Sequence, residues 1–178
     1  MHKLELLPPT NVDAFTRLGL AIAFELDQQK LEENYAELQQ KTHPDKFVAA
    51  DQVTQALAFK HNLLINEAYN LLGNDLTRAE YILKLHGIIV NQDGPEAVKP
   101  DLILLEEILE IRSAIDESSD PAQLKNFATE NQATQQATLK IITENFQAKD
   151  FTKMAEQVIK LKYLVKIAED LKLKQARI

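Results

Sequence analysis

His43, Pro44 and Asp45 are consecutive, with Thr42 before them and Lys46-Phe47 after, so a hydroxyl, an imidazole, a carboxylate and an ammonium crowd into one short run. Such a set invites a hydrolytic reading that pairs His43 with Asp45 and adds the adjacent Thr42. Covalent geometry argues against it. Neighbouring residues on a proline-constrained turn cannot by themselves align a nucleophile, its base and an orienting group. No nucleophile elbow, phosphate-cradling loop or dinucleotide fingerprint occurs elsewhere in the chain. The chain is therefore expected not to be an enzyme. Pro44 fixes one φ angle and removes a backbone donor. Asp45 presents a short carboxylate and His43 a ring with two distinct nitrogens. A stiff, charged tip of this kind suits docking onto another protein. Taken alone, the tripeptide is better read as a plain helix-to-helix loop in which Asp45 accepts backbone N–H bonds.

Other chemistry is scarce. There is no cysteine, so disulfides, thiol nucleophiles and thiolate ligands for zinc or an iron–sulfur cluster are all absent. The histidines, at positions 2, 43, 61 and 86, show no i, i+4 pairing, and neither a metal site nor a cofactor is expected. A net charge of −7, spread along the chain rather than gathered in a tail, disfavours nucleic acid and anionic lipid as partners. No stretch approaches the roughly 20 apolar residues of a membrane span, and the first residues lack a signal-peptide pattern. A soluble cytoplasmic protein is expected.

The elements that hold the tip are helical. Hydrophobic residues make up 45% of the chain while aromatics, glycine and proline are few, a composition that favours an all-α fold over a strand-rich one. After a leader over Leu4 to Pro9, a short turn of helix is expected around Val12 to Leu20, with Phe15, Leu18 and Leu20 inward. Asp27 caps the first long helix, whose face is Leu31, Tyr35 and Leu38, and Pro44 forces it to stop by Thr42. The second long helix starts near Asp51 or Thr54 and ends near Leu72, with Gly73 as its C′ residue. It carries one row of Ala56, Phe59, Leu63, Asn66 and Asn70, beside a second of Leu57, Leu64, Ala68, Leu71 and Leu72. The two helices form an antiparallel hairpin with His43 to Phe47 at its tip. A shorter helix, Leu76 to Leu85, follows, anchored by Tyr81, Ile82 and Leu85 and ended by Gly87.

Glycine, proline, Asn91 and Asp93 make the segment from Gly87 to Pro100 the best boundary, dividing the chain into 1–90 and 91–178. Three helix-length blocks come after it: one capped by Asp101 with Leu105, Ile108, Ile111 and Ile115 apolar, one opened by Asp120-Pro121, and one from about Phe151. A three-helix bundle follows. The stretch from Asn131 to Gln136 is unusually polar, which predicts a bend or an exposed middle in the second block.

The tip motif His43-Pro44-Asp45-Lys46-Phe47 resembles the signature of the J-domain co-chaperones. The runs from Ile65 to Leu72 and from Arg78 to Gly87 (Arg-Ala-Glu-Tyr at its start), with Leu109-Glu110-Ile111-Arg112 and Ile115-Asp116-Glu117, are more specifically similar to the HscB-like family. These are the J-type co-chaperones of iron–sulfur cluster assembly, and the likeness spans about Val12 to Leu173. It implies an N-terminal J-domain hairpin and a C-terminal three-helix bundle. It also implies that Lys41, His43, Pro44, Asp45 and Lys46 engage the ATPase domain of a DnaK-like chaperone, HscA, and stimulate its ATP hydrolysis. The bundle would hold the cluster scaffold, an IscU-like protein, through Leu105, Leu109, Glu110, Ser113, Glu117 and Tyr163. Leu105, Leu109, Ser113 and Glu117 recur at i, i+4 and share a stripe, but spacing alone leaves open whether the leucines face solvent or the bundle core. Tyr163 is equally undecided. A generic J-domain adaptor for another client is the alternative reading.

The sequence also departs from the family pattern. Asn34 and Gln40 replace common cations, and Glu32, Glu33 and Glu37 make the first long helix acidic. Thr42 stands in place of an aromatic, Asp75 of a proline, Glu106 of a hydrophobic residue and Ser113 of an acidic one.

Overall fold

Six of the helices begin at an aspartate. In the computed structural model, which describes residues 12–90 and 97–177, α1 (Ala14–Arg17), α2 (Gln28–Thr42), α3 (Gln52–Gly73), α5 (Leu102–Glu117), α6 (Pro121–Gln147) and α7 (Phe151–Gln175) are capped by Asp13, Asp27, Asp51, Asp101, Asp120 and Asp150. Each carboxylate accepts a backbone N–H of the first turn, a donor the helix cannot satisfy internally. The N–H and hydroxyl of Thr54 hold the Asp51 carboxyl below its ordinary pKa, and the N–H of Lys153 acts likewise on Asp150. Helix α4 (Asp75–Leu85) starts differently, with Asn74 Oδ1 accepting from Thr77 N at 3.1 Å. The expected leader over Leu4 to Pro9 and the middle of the boundary segment, 91–96, lie outside the described residues.

The chain divides into two compact units, 1–78 and 79–178. In the first, α1 and α2 both pack on α3, and Phe15, Leu18, Phe24, Leu31, Ala58, Ile65, Ala68 and Leu72 are buried. The α2–α3 pair is antiparallel. As the position on α2 falls from Thr42 through Gln39 to Tyr35, the partner on α3 rises from Asn62 through Asn66 to Tyr69. Arg78 closes this unit. Its guanidinium donates to the carbonyls of Phe24 (2.7 Å) and Leu72, pairs with Asp75 and lies 5.2 Å from the Phe24 ring centroid.

The division falls inside α4, ahead of the boundary expected near residue 90, and the packing of α4's second half explains it. Ile82 and Leu83 are fully buried, His86 stacks on Phe151 with ring centroids 3.7 Å apart, and Glu80 lies 3.7 Å from Lys162. Gly87, at φ +77°, lets Ile88 N reach Leu83 O and Gly87 N reach Lys84 O, a left-handed helix stop that a side chain would strain. Beyond it, Val98 N donates to Ile89 O at 2.9 Å, which joins the two ends of the boundary segment. In the second unit, α6 lies along α7 and α5 packs on α7. Ile108, Ile115, Leu124, Ile167 and Leu171 form the buried cluster, with Leu104, Ile111, Phe127, Ala128 and Tyr163 against it.

Two expectations are modified, and the choice of row on α3, which the spacing left open, is settled. Gly73 is the last residue of α3 and not left-handed, because Asn74 turns to an extended backbone and caps α4 instead. The Ala56-Phe59-Leu63 row is exposed, since the row that meets α1 and α2 is Ala58, His61, Ile65, Ala68 and Leu72. The polar stretch of α6 is partly interior. Asn131 is buried, and its Nδ2 and Gln135 Nε2 converge on the Leu164 carbonyl of α7 at 3.0 and 3.1 Å. Buried amides with a partner cost little, so polarity there marks a helix–helix contact.

Candidate functional site

The tip is built on a ladder of side-chain amides between α2 and α3. Tyr35 Oη donates to Asn66 Oδ1 at 2.8 Å, and Gln39 Nε2 donates to the same oxygen. Asn66 Nδ2 donates to Asn62 Oδ1 at 3.2 Å, and Asn62 Nδ2 to Gln39 Oε1 at 2.7 Å and Thr42 Oγ1 at 3.4 Å. Tyr35 also stacks on Tyr69, centroids 4.0 Å apart. A network with each member partnered fixes the register of two helices in a way that sliding apolar surfaces do not. The signal was in the sequence: Tyr35 and Gln39, and Asn62 and Asn66, are i, i+4 pairs of polar residues within otherwise apolar rows.

The ladder ends at Thr42, which is fully buried and donates its hydroxyl to Leu38 O at 2.9 Å. It is thereby out of reach as a nucleophile. Pro44 then turns His43 to ψ 126° and opens a single 3-10 turn, Pro44–Phe47. Lys46 N donates to His43 O at 3.0 Å and Asp45 N approaches His43 Nδ1 at 3.4 Å. The Asp45 carboxylate is 85% exposed, 3.6 Å from Nδ1, and accepts no backbone N–H among the described residues. His43, Pro44 and Lys46 are exposed too, and Lys41 is exposed with its ammonium paired to Glu37.

Helix α5 carries the second set. Its buried side is Ile108 and Ile115, flanked by Leu104 and Ile111, so the opposite side faces outward. Leu109 is 66% exposed, and Glu110, Ser113 and Glu117 are exposed, with Ser113 Oγ donating to Glu117 Oε1 at 3.0 Å. Leu105 is half-buried at the edge of that face. Tyr163, on α7, is half-buried and packed against the cluster. The six residues thus differ in availability: four are open, and the other two share their surface with the unit's interior. Sequence reasoning missed Leu102 and Ile103, both highly exposed at the start of α5. Their signal is an apolar run, Leu102 to Leu105, too continuous for one buried face of a helix. Among the described residues no group of three or more His, Asp or Glu could hold a metal ion, and no helix is long and apolar enough to cross a membrane.

Known proteins share this architecture. Residues 100–172 match the family described as the HSCB C-terminal oligomerisation domain. The human iron–sulfur cluster co-chaperone protein HscB is 32% identical over 94% of this chain and 71% of its own. The crystal structure of human co-chaperone protein HscB superposes with a TM-score of 0.87 at 31% identity, over 97% of this chain and 86% of that one. Chaperone HscB from Vibrio cholerae gives a TM-score of 0.81 at 30% identity, over 93% of this chain and 99% of its own. An exposed His-Pro-Asp tip on a helical hairpin, a C-terminal bundle and these whole-chain likenesses converge: the chain belongs to the HscB family, the J-domain-type co-chaperones of iron–sulfur cluster assembly.

Proposed function

We propose that the chain brings an IscU-like cluster scaffold to a specialised DnaK-like chaperone of the HscA kind and stimulates that chaperone's ATP hydrolysis. As an HscB-like co-chaperone it is not itself an enzyme; the ATP and its chemistry belong to the partner. His43, Pro44 and Asp45, with Lys41 and Lys46 beside them, dock on the ATPase domain and favour its hydrolysis-competent conformation. Only contacts that differ between the partner's states can shift that balance. The outer face of α5, with Leu105, Leu109, Glu110, Ser113, Glu117 and the edge of Tyr163, holds the scaffold. Under this reading residues 1–90 stimulate and the bundle beyond them binds the scaffold.

The observation that carries the reading is Asp45. A loop carboxylate kept for architecture would cap backbone N–H groups, as six other aspartates of this chain do. Asp45 caps none and stands in solvent, an arrangement that supports a role toward a partner. The test is steady-state ATP turnover by the chaperone with wild type, Asp45→Asn and His43→Gln. Both variants are expected to lose most of the stimulation while melting as wild type does, because substitutions at exposed sites cost within about 0.5 kcal/mol. Full stimulation by a folded Asp45→Asn protein would refute the reading.

A further inference from the structure

The tip is small, and on the helix leading to it acidic residues outnumber the lysines. Along α2, Lys30 and Lys41 stand against Glu32, Glu33 and Glu37, and the Lys41 ammonium is already paired with Glu37. On the neighbouring helix the balance is reversed toward apolar surface. Phe59 is 62% and Leu63 47% exposed, one turn apart on α3, with Ala56 exposed in the same row and Val48 exposed at the tip. Among the described residues of this unit, none of these side chains belongs to the buried core.

Their position is fixed by Asn62. Its amide reaches Thr42 at the end of α2, so residue 62 is level with the last turn before His43. Phe59 lies three residues nearer the tip, about 4.5 Å along the axis at ~1.5 Å per residue, and Leu63 directly follows Asn62. The exposed pair therefore flanks the residue that touches the base of the tip. We infer that Phe59 and Leu63 form one continuous docking surface with His43 to Asp45, and that the ATPase domain of the chaperone is held there chiefly by apolar contact. This rests on the proposed chaperone role and adds what recognises the partner. A second copy of the chain is a poorer occupant, since a stable self-interface takes about 20–30 residues a side and this row supplies a handful.

The test titrates the full chain into the chaperone and reads the ATPase rate, for wild type, Phe59→Gln/Leu63→Gln and Asp45→Asn, at low and high salt. The double variant is expected to need about tenfold more protein for half-maximal stimulation, with the same rate at saturation, as loss of a few buried anchors does. Wild type is expected to keep nearly the same half-saturation at both salts, whereas exposed charge pairs are screened. Unchanged half-saturation in the folded double variant would overturn the inference, as would a wild-type half-saturation that climbs steeply with salt. So would sedimentation in which wild type forms a dimer that the variant abolishes, since the row would then serve self-association. Melting curves accompany each sample, and Leu63→Gln alone replaces the pair if the pair melts early. If wild type gives no stimulation, the chaperone reading itself falls and takes this inference with it. Stimulation lost by Asp45→Asn but kept by the double variant removes the inference alone.

Discussion

Leu109→Ala separates the two faces of α5 most cleanly. Complete burial of a leucine side chain is worth about 1.5–3 kcal/mol. Leu109 is 66% exposed in the free protein, so about 1–2 kcal/mol of that remains to be gained when a partner covers it, and the rest, about 0.5–1 kcal/mol, already serves the fold. Truncation to alanine should therefore raise the Kd for the cluster scaffold about 5- to 30-fold while lowering unfolding free energy by less than about 1 kcal/mol. The neighbouring residue gives the opposite signature. Ile108 is 3% exposed, and Ile108→Ala should cost about 2–5 kcal/mol of stability through the cavity it leaves, with binding impaired only as far as folding is. Isothermal calorimetry with the scaffold, and denaturant unfolding on the same preparations, reads both quantities. A folded Leu109→Ala protein that binds with the wild-type Kd would refute the assignment of this face.

Arg78→Met should destabilise by about 3 kcal/mol or more, because it strips the Phe24 and Leu72 carbonyls of their donor; Arg78→Lys should recover little of this, as one ammonium cannot span both carbonyls and Asp75. Burial, reinforced by the Arg17 and Lys60 charges, holds the His61 imidazole below its ordinary pKa. The unfolded chain then takes up this proton first, so stability falls as pH drops below about 6.5; urea midpoints measured from pH 8 to 5 should show a decline that His61→Leu makes shallower, and equal slopes would refute it. Asn131→Asp should cost about 3 kcal/mol at neutral pH, since a buried carboxylate would face the Leu164 carbonyl in place of an N–H donor.

The positions at which this chain departs from the family pattern acquire physical reasons. Thr42, where an aromatic is common, is small enough to bury beneath α3 and ties its hydroxyl to Leu38 O and the Asn62 amide. It thus joins the amide ladder at the residue before His43. Asp75, where a proline is common, gives Arg78 a counter-ion that proline could not. Ser113 hands its hydroxyl to Glu117, so a carboxylate is retained on that stretch of α5 although its position moves by one turn.

Caps and turns were legible in the sequence because their cause is local. Asp27, Asp51, Asp101 and Asp120-Pro121 start helices, and Pro44 and Gly87 end them, whatever the rest of the chain does. The stop at Lys149 was not legible: it adopts φ +56° without being glycine, held by Asp150 N on Asn145 O. The choice between faces was harder still, and for a reason tied to function. On α3 two apolar rows run side by side, and the buried one contains His61 while the exposed one contains Phe59. Residue type alone does not choose between them. On α5 the stripe of Leu105 and Leu109 has the same spacing as Leu104 and Ile108, and only packing on the buried cluster tells them apart. A helix that must pack on its own unit and also grip a partner carries apolar residues on two sides, which flattens the periodicity that reveals a core. Where the pattern fails to choose a face, the row left exposed is the one to test for contact with a partner.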